Sequence, residues 1–351
     1  MIFLNGEDHI AEAIESIVSQ TWSNWELVLV DDGTTDGAAA IARKYCAAHP
    51  DRIRLISHSD GRNLGMSASR NAGVRASHGR YLAFLDADDV WLPERLEIHV
   101  EALERNPVAA VSVAPTVIWK SWERKLAPRW RPWAREDVSY HTGLAEKCVV
   151  PPPDVASHFL RWRGGGVPGI CSVTIRRSAF DAVCGCEDTF RTLYEDQVLL
   201  FKLFLEYPVM GLDDVLAFYR QHPTSTCAAE GGLAGDSAAR PVFLAWLKKW
   251  IEERGIHGRD LRDALAAEIT RAKFGLSPGL LRRLIGSWQV ESRQAAIWFL
   301  RPALYNRLRI LFGLTPLAND LGTLSAWKSP KSPSEKVPDG VRGYQDEIGD
   351  E

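Results

Sequence analysis

Three carboxylates follow one apolar run of the sequence, and all three lie within four residues. The run is residues 81–85, and the acids are Asp86, Asp88 and Asp89. Such a run is typical of a buried strand, and ligands of open α/β sheets bind beyond the carboxyl ends of their strands. Carboxylates held this close repel one another, so a divalent cation is their expected partner. One acid could instead cap the helix that begins near Pro93, but capping needs only one.

A second pair of acids, Asp31 and Asp32, follows the apolar residues 25–30. By the same argument these carboxylates point into the ligand crevice, where they can accept hydrogen bonds from a base N–H or from ribose hydroxyls. The other interpretation is turn chemistry, because Asp and Gly are both favoured in the tight turn that Gly33 indicates. Asp36 is expected to cap the helix that follows it.

Asn63 and Gly65 lie in a loop that leads into a predicted helix carrying Arg70. Backbone N–H groups at such a helix start can bind an anion, and an arginine adds a charge-assisted hydrogen bond to a phosphate. Taken alone this pattern is weak, because an arginine on a helix is usually a solvated side chain. Its position between two groups of acids favours a role for Arg70 in the site.

These residues need a scaffold, and residues 1–113 alternate between strand-like and helix-like segments. The predicted strands are 2–4, 25–30, 53–57, 81–85 and 108–113, and the predicted helices after the first are 38–49, 67–76 and 94–106. This βαβαβ order predicts a parallel sheet with right-handed crossovers and helices on both faces. The first strand is expected to be short. Regular elements return at 172–176, 178–183, 195–206 and 215–219, and helices follow from Pro241.

Composition narrows the class of protein. The formal charge of −3 argues against a nucleic-acid binder that relies on overall charge. We expect no signal peptide and no membrane span, because no stretch of about 18 apolar residues is present. The six cysteines include no CxxC pair, and we expect reduced thiols of a cytoplasmic protein.

Residues 282–312 contain six arginines and one acid, interleaved with aromatic residues. This segment predicts either peripheral contact with the inner face of an anionic membrane or a packing helix whose arginine stems cover the rest of the protein. Upstream, residues 114–170 are rich in tryptophan, and the indole rings at 119, 122, 130 and 133 could stack on sugars or simply pack.

The motifs, taken in order, resemble those of family 2 glycosyltransferases with the GT-A fold. They are residues 16–22, 26–36, 63–71 and 84–89, and a later Glu195-Asp196 pair extends the resemblance over 1–225. The resemblance implies an α/β nucleotide-diphospho-sugar transferase fold with a mostly parallel central sheet flanked by helices. It implies a catalytic domain at 1–225, divided into a nucleotide-sugar-binding half (1–113) and an acceptor and base half (114–225). We predict a helical extension at 240–327 and a disordered tail at 328–351.

The resemblance also implies a metal site. The family's DxD motif matches Asp86-Ala87-Asp88, which implies that Asp88 ligates Mn²⁺ or Mg²⁺ on the donor diphosphate, with Asp86 or Asp89 in support. The metal would stabilise the charge of the leaving nucleoside diphosphate. A His or Arg late in this fold often closes over the diphosphate, so His222 is a candidate metal ligand or phosphate contact.

The family's ED motif matches Glu195-Asp196, which implies that Asp196 is the general base and that Glu195 supports it or contacts the acceptor. These acids could instead serve the first turn of a helix. The second acid of the earlier pair, Asp32, is implied to contact the nucleotide base, and Glu7 follows the first strand where relatives contact the nucleotide.

Together these features predict an inverting enzyme that moves a sugar from a nucleotide-sugar, in the first place a UDP-sugar, to a hydroxyl of a carbohydrate or lipid-linked acceptor. The expected setting is synthesis of cell-surface polysaccharide or glycoconjugate. Two alternatives stay open: a catalytically degenerate nucleotide-sugar-binding relative, and a sugar nucleotidyltransferase. The second is disfavoured because the loop at residues 5–9 is too acidic for a triphosphate.

Overall fold

The computed structural model describes residues 1–123, 137–144, 148–161, 168–229 and 239–273. The first half alternates strands and helices as the sequence predicted. Its elements are β1 (Ile2–Phe3), α1 (Ile10–Val18), β2 (Leu27–Asp31), α2 (Ala38–Ala48), β3 (Ile53–Ser57), α3 (Met66–Ala76), β4 (Tyr81–Ala83), β5 (Val90–Trp91), α4 (Arg95–Arg105) and β6 (Val111–Val113). The expectation of a short first strand is confirmed.

The second half contains several short elements that the sequence pattern did not indicate, at residues 116–119, 138–140, 149–150, 154–161 and 209–211. Its elements are β7 (Thr116–Trp119), β8 (Val138–Tyr140), β9 (Val149–Val150), α5 (Asp154–Arg161), β10 (Val173–Arg176), α6 (Arg177–Ala182), α7 (Glu195–Glu206), β11 (Val209–Gly211), β12 (Ala217–Arg220), α8 (Thr226–Ala229), α9 (Ala239–Glu253) and α10 (Arg259–Lys273). The strands among them are two to four residues long, which is too short to show a period.

The central sheet begins with three parallel strands in the order β3-β2-β1. A parallel bridge between Ile2 and Asp86 brings the chain beyond β4 alongside β1. The sheet continues as β4-β10-β6-β11-β9, in which β10 runs antiparallel to both of its neighbours. The predicted α/β architecture is confirmed, and the sheet is mixed rather than uniformly parallel. A buried strand carries the same apolar residues in either direction, so the sequence could not show the direction of β10.

A second, four-stranded sheet has the order β5-β12-β7-β8. It joins the segment that follows the acidic loop to strand β12, which ends at Arg220. This pairing carries the chain from residue 220 onward back to the acids that follow β4. The small sheet therefore helps to assemble the site.

Helices α9 and α10, the described part of the predicted C-terminal extension, share a hydrophobic core with the α/β body. Phe243, Leu247 and Leu261 are buried in one cluster with residues of β6, β10 and α7. The two helices therefore pack as part of the α/β body over residues 239–273. None of the helices in the described ranges is long and apolar enough to cross a bilayer. Residues 282–312, the tail from 328, Trp130 and Trp133 lie outside the described residues.

Candidate active site

The three acids that follow β4 have different environments. The side chains of Asp86 and Asp88 are 28% and 29% exposed, whereas Asp89 is only 1% exposed. An Asp89 carboxylate oxygen accepts a hydrogen bond from the Arg220 backbone N–H at 3.0 Å. Burial, and then the charges of Asp88 and Asp86, raise the pKa of Asp89 well above its ordinary value. Asp89 therefore lies inside the loop and holds the backbone at Arg220. The support of a metal expected from Asp89 stays a prediction.

Asp88 pairs with His222, and both belong to the predicted metal site. The His222 Nε2 lies 2.9 Å from an Asp88 carboxylate oxygen, and its Nδ1 lies 2.8 Å from the Thr224 hydroxyl. Within the described ranges, no three His, Cys, Asp or Glu side chains are arranged to hold a metal ion. Mg²⁺ is commonly bound by one or two carboxylates together with substrate phosphates. The partly exposed Asp88 with its imidazole neighbour fits a cation of that kind.

Arg220 is a buried connection that the sequence did not reveal. Its Nε donates to the Asp88 carbonyl oxygen at 2.7 Å, and its guanidinium also pairs with Glu12 on α1. The guanidinium carbon lies 4.3 Å from the ring centre of Trp119 and 4.9 Å from that of Trp122. Two of the four tryptophans that could stack on sugars or pack therefore contact this arginine by cation–π interaction.

Arg70 lies between an acid of the β4 loop and an acid of α7. One guanidinium nitrogen donates to Asp86 at 2.8 Å, and another pairs with Glu195. The Arg70 side chain is 1% exposed. Burial disfavours the cation, but Asp86 and Glu195 together outweigh that penalty and raise the pKa of Arg70. The structure therefore commits this guanidinium to two carboxylates, and the phosphate contact expected for it stays a prediction.

Glu195 and Asp196 form the first turn of α7, which begins where the sequence predicted. An Asp196 carboxylate oxygen accepts from the Gln197 N–H at 2.7 Å, so the acid also serves the helix start. Burial raises the pKa of Asp196 while the nearby Arg70 cation lowers it, and the net direction is upward. Burial raises the pKa of Glu195 as well, even beside Arg70. A carboxylate with a raised pKa is a better proton acceptor than an ordinary aspartate, which suits a general base.

Asp31 and Asp32 have different hydrogen-bond partners. Asp31 accepts from the N–H groups of Gly33 (3.1 Å) and Thr34 (2.8 Å), which is turn chemistry. Buried Asp32 accepts from the N–H groups of Leu64 (2.7 Å) and Gly65 (3.1 Å). Asp32 thus ties the loop after β2 to the predicted anion-binding loop. Its contact with a nucleotide base stays a prediction.

The remaining predicted nucleotide contacts also have internal partners. Glu7 is exposed and accepts from the Gly37 N–H at 2.8 Å, at the start of α2. The N-cap of α2 is Gly37 rather than Asp36, but Asp36 accepts from the Ala38 N–H at 2.9 Å and so still satisfies a donor at the start of that helix. The Asn63 carbonyl oxygen accepts from the Arg191 guanidinium at 2.7 Å. These contacts fix the loops that surround Asp32, and nucleotide binding by Glu7 and Asn63 stays a prediction.

Part of this sequence matches a known protein family. Residues 1–159 match the family described as "Glycosyl transferase family 2". Through these residues, the chain is similar to members of that family. The resemblance that the motifs predicted is thereby confirmed over this part of the chain.

Two curated relatives illustrate the sequence similarity to family 2. "Putative glycosyltransferase EpsE" of Bacillus subtilis (strain 168) is 45% identical over 102 residues, which are 29% of this chain and 36% of that protein. "UDP-Glc:alpha-D-GlcNAc-diphosphoundecaprenol beta-1,3-glucosyltransferase WfgD" of Escherichia coli is 31% identical over 105 residues, 30% of this chain and 40% of that protein. The match therefore spans well under half the length of these family 2 relatives.

Solved structures extend the likeness over most of this chain. S. aureus TarS 1-349 in complex with UDP-GlcNAc has a TM-score of 0.57 at 17% identity, covering 88% of this chain and 80% of that one. The mannosyltransferase PcManGT of Pyrobaculum calidifontis, in complex with GDP-Man and Mn²⁺, has a TM-score of 0.52 at 17% identity, covering 88% and 79%. At this identity the likeness concerns the fold, and it confirms the GT-A type.

The close approach of the loops at Asp32 gives a test of the site's architecture. Gly33 has φ +92°, and a Cβ there would meet the Asn63 nitrogen at 2.9 Å. Gly61 has φ +64°, with nothing within 4 Å of an added Cβ. We expect Gly61→Ala to lower the free energy of unfolding by about 1–2 kcal/mol, the cost of a left-handed alanine. Gly33→Ala should cost more, because backbone atoms must also move. Urea unfolding checks this, and equal losses for the two variants would contradict the described loop contact.

Proposed function

We propose that this chain transfers a sugar from a nucleotide-sugar to an acceptor hydroxyl, with inversion at the anomeric carbon. The donor class that we propose is a UDP-sugar. The observation that carries the proposal is the ion-paired group in which Arg70 joins Asp86 of the DxD motif to Glu195, next to Asp196. This group brings the predicted metal-binding acids and the predicted base together. Donor activation and proton removal are the two tasks that such a transfer requires.

Asp88 is the proposed metal ligand, with Asp86 and His222 beside it. Both carboxylates are partly exposed, and His222 lies against Asp88 in the structure. Carboxylate oxygens suit Mn²⁺ and Mg²⁺. When bound, such an ion would neutralise charge on the leaving nucleoside diphosphate. The Mn²⁺ bound by PcManGT supports this part of the proposal.

Asp196 is the proposed base. It would take the proton of the acceptor hydroxyl as the new bond to the anomeric carbon forms and the bond to the diphosphate oxygen breaks. A single in-line displacement of this kind inverts the configuration. The transition state has oxocarbenium character, as in glycoside hydrolysis. Arg70 pairs with Glu195, the residue before Asp196. The positive charge of Arg70 also limits how far burial raises the pKa of Asp196.

The donor and acceptor classes are supported by named relatives. TarS binds UDP-GlcNAc, and WfgD is named for UDP-Glc and a diphosphoundecaprenol-linked acceptor. We therefore propose a UDP-sugar donor and a carbohydrate or lipid-linked acceptor, in the synthesis of a surface polysaccharide or glycoconjugate. A lipid-linked acceptor fits a cytoplasmic protein at the inner face of the membrane.

Replacing the base tests the catalytic part of the proposal. We expect Asp196→Asn to lower kcat by about 10²–10⁴-fold, the usual contribution of a general base, while donor binding stays near normal. In the wild type, the rate should fall as the pH drops through the pKa of Asp196, and that midpoint should lie above the pKa of an ordinary aspartate because burial raises it. Asp181→Asn, an exposed change on α6, is the matched control. Near wild-type turnover of Asp196→Asn would refute the assignment.

Replacing the metal ligand tests donor binding. UDP-sugars and GDP-sugars are screened by thermal shift with and without Mn²⁺, because a ligand that binds the folded state raises Tm. We expect stabilisation by a UDP-sugar that depends on the metal in the wild type and is lost in Asp88→Ala. Asp188→Ala, outside the acidic loop, should retain it. An equal rise in Tm in wild type and Asp88→Ala, with and without Mn²⁺, would contradict the metal assignment.

A further inference from the structure

The residue that precedes the Glu195-Asp196 pair has an unusual backbone conformation. Tyr194 has φ 66° and ψ 3°, in the left-handed region, and is 8% exposed. A bulky residue in this region is strained, and it persists only where its surroundings hold it. Its carbonyl oxygen accepts the first hydrogen bond of α7, from the Val198 N–H at 2.9 Å. The conformation of Tyr194 therefore sets where α7 starts and where its first acids point.

The ring of Tyr194 stacks on helix α9. Its centroid lies 5.0 Å from that of Phe243, with the planes 19° apart. The stack continues from Phe243 to Trp246 at 6.3 Å and from Trp246 to Trp250 at 5.6 Å. These spacings of three and four residues place all three rings of α9 on one face of the helix. We call Phe243, Trp246 and Trp250 the aromatic row.

The aromatic row also contacts α7 farther along its length. Lys202 is fully buried, and its Nζ donates to the carbonyl oxygens of Val183 (3.1 Å) and Gly185 (3.0 Å). The same nitrogen lies 4.9 Å from the ring centre of Trp250. Helix α9 therefore contacts the residue that precedes α7 and contacts α7 itself at Lys202, about two turns later. Neither contact lies in residues 1–159, which the family description covers.

We infer that the aromatic row of α9 is a positioning element for the proposed base. Stacking of Phe243 on Tyr194 holds the left-handed conformation of Tyr194, and so fixes the direction in which the Asp196 side chain points from α7. Arg70 also pairs with the neighbouring Glu195. Displacement of a catalytic group by about 1 Å can cost 10²-fold in rate, so this support bears on turnover rather than on donor affinity. The inference rests on the proposed function for its catalytic consequence only.

Hydrogen exchange tests the positioning independently of activity. Phe243→Leu keeps an apolar side chain but removes the ring, and Leu261→Ala on α10 is the control, because Leu261 is buried in the same core. We expect exchange at the Val198 amide to become at least about tenfold faster in Phe243→Leu than in Leu261→Ala, once both are compared at equal global stability. Equal protection of Val198 in the two variants overturns the inference.

Kinetics with UDP-N-acetylglucosamine as the probe test the consequence. Phe243→Leu and Tyr194→Leu should lower kcat for UDP release about tenfold with the donor KM unchanged, and Tyr194→Phe, which keeps the ring, should retain kcat. Tyr194→Gly adopts the left-handed turn without strain, so its loss of kcat would separate the ring contact from the backbone. Unchanged kcat in Phe243→Leu, or a rise in KM alone, overturns the inference. If the wild type releases no UDP, the proposed function fails for this donor, and the exchange result alone decides.

Discussion

A buried cation between two carboxylates holds the candidate site together. Arg70 is almost fully shielded from water and is paired with Asp86 and Glu195, which come from parts of the chain far apart in sequence. A buried charge is costly when it has no partner, so each of the three groups constrains the other two. The loop after β4 and the start of α7 are therefore fixed relative to each other. The position of Asp196 follows from that constraint.

Two further buried cations pair with carboxylates and also lie over aromatic rings. Arg220 pairs with Glu12 and lies over two indole rings, and Lys202 pairs with Glu187 and lies over Trp250. Arg220 joins the end of β12 to the Asp88 carbonyl oxygen and to α1, and Lys202 joins α7 to the carbonyl oxygens of Val183 and Gly185. Buried ion pairs are poor indicators of net stability, but they define geometry sharply. Arg70, Arg220 and Lys202 thus each tie together parts of the chain that are distant in sequence.

Much of the fold could be predicted because its signals are local. Residues 53–57 and α7 were predicted with the bounds that the structure shows, since apolar runs and flanking turn residues mark them. The different exposure of Asp88 and Asp89 could not be predicted, because it depends on which of the two acids accepts the hydrogen bond from the Arg220 N–H at the end of β12. The partners of Arg70 were hidden for the same reason. The packing of α9 against α7 likewise depends on long-range contacts that no local pattern records.

The central claim is that the Arg70 charge links the acidic loop to the base. The most direct measurement is the pH dependence of sugar transfer in the wild type, in Arg70→Gln and in Arg70→Lys, with folding of each variant checked by circular dichroism. Because the Arg70 cation lowers the pKa of Asp196, its removal raises that pKa. The base must be ionised to act, so the midpoint of the acid limb should move to higher pH in Arg70→Gln and move less in Arg70→Lys. An acid limb at the same pH in all three proteins would contradict the account.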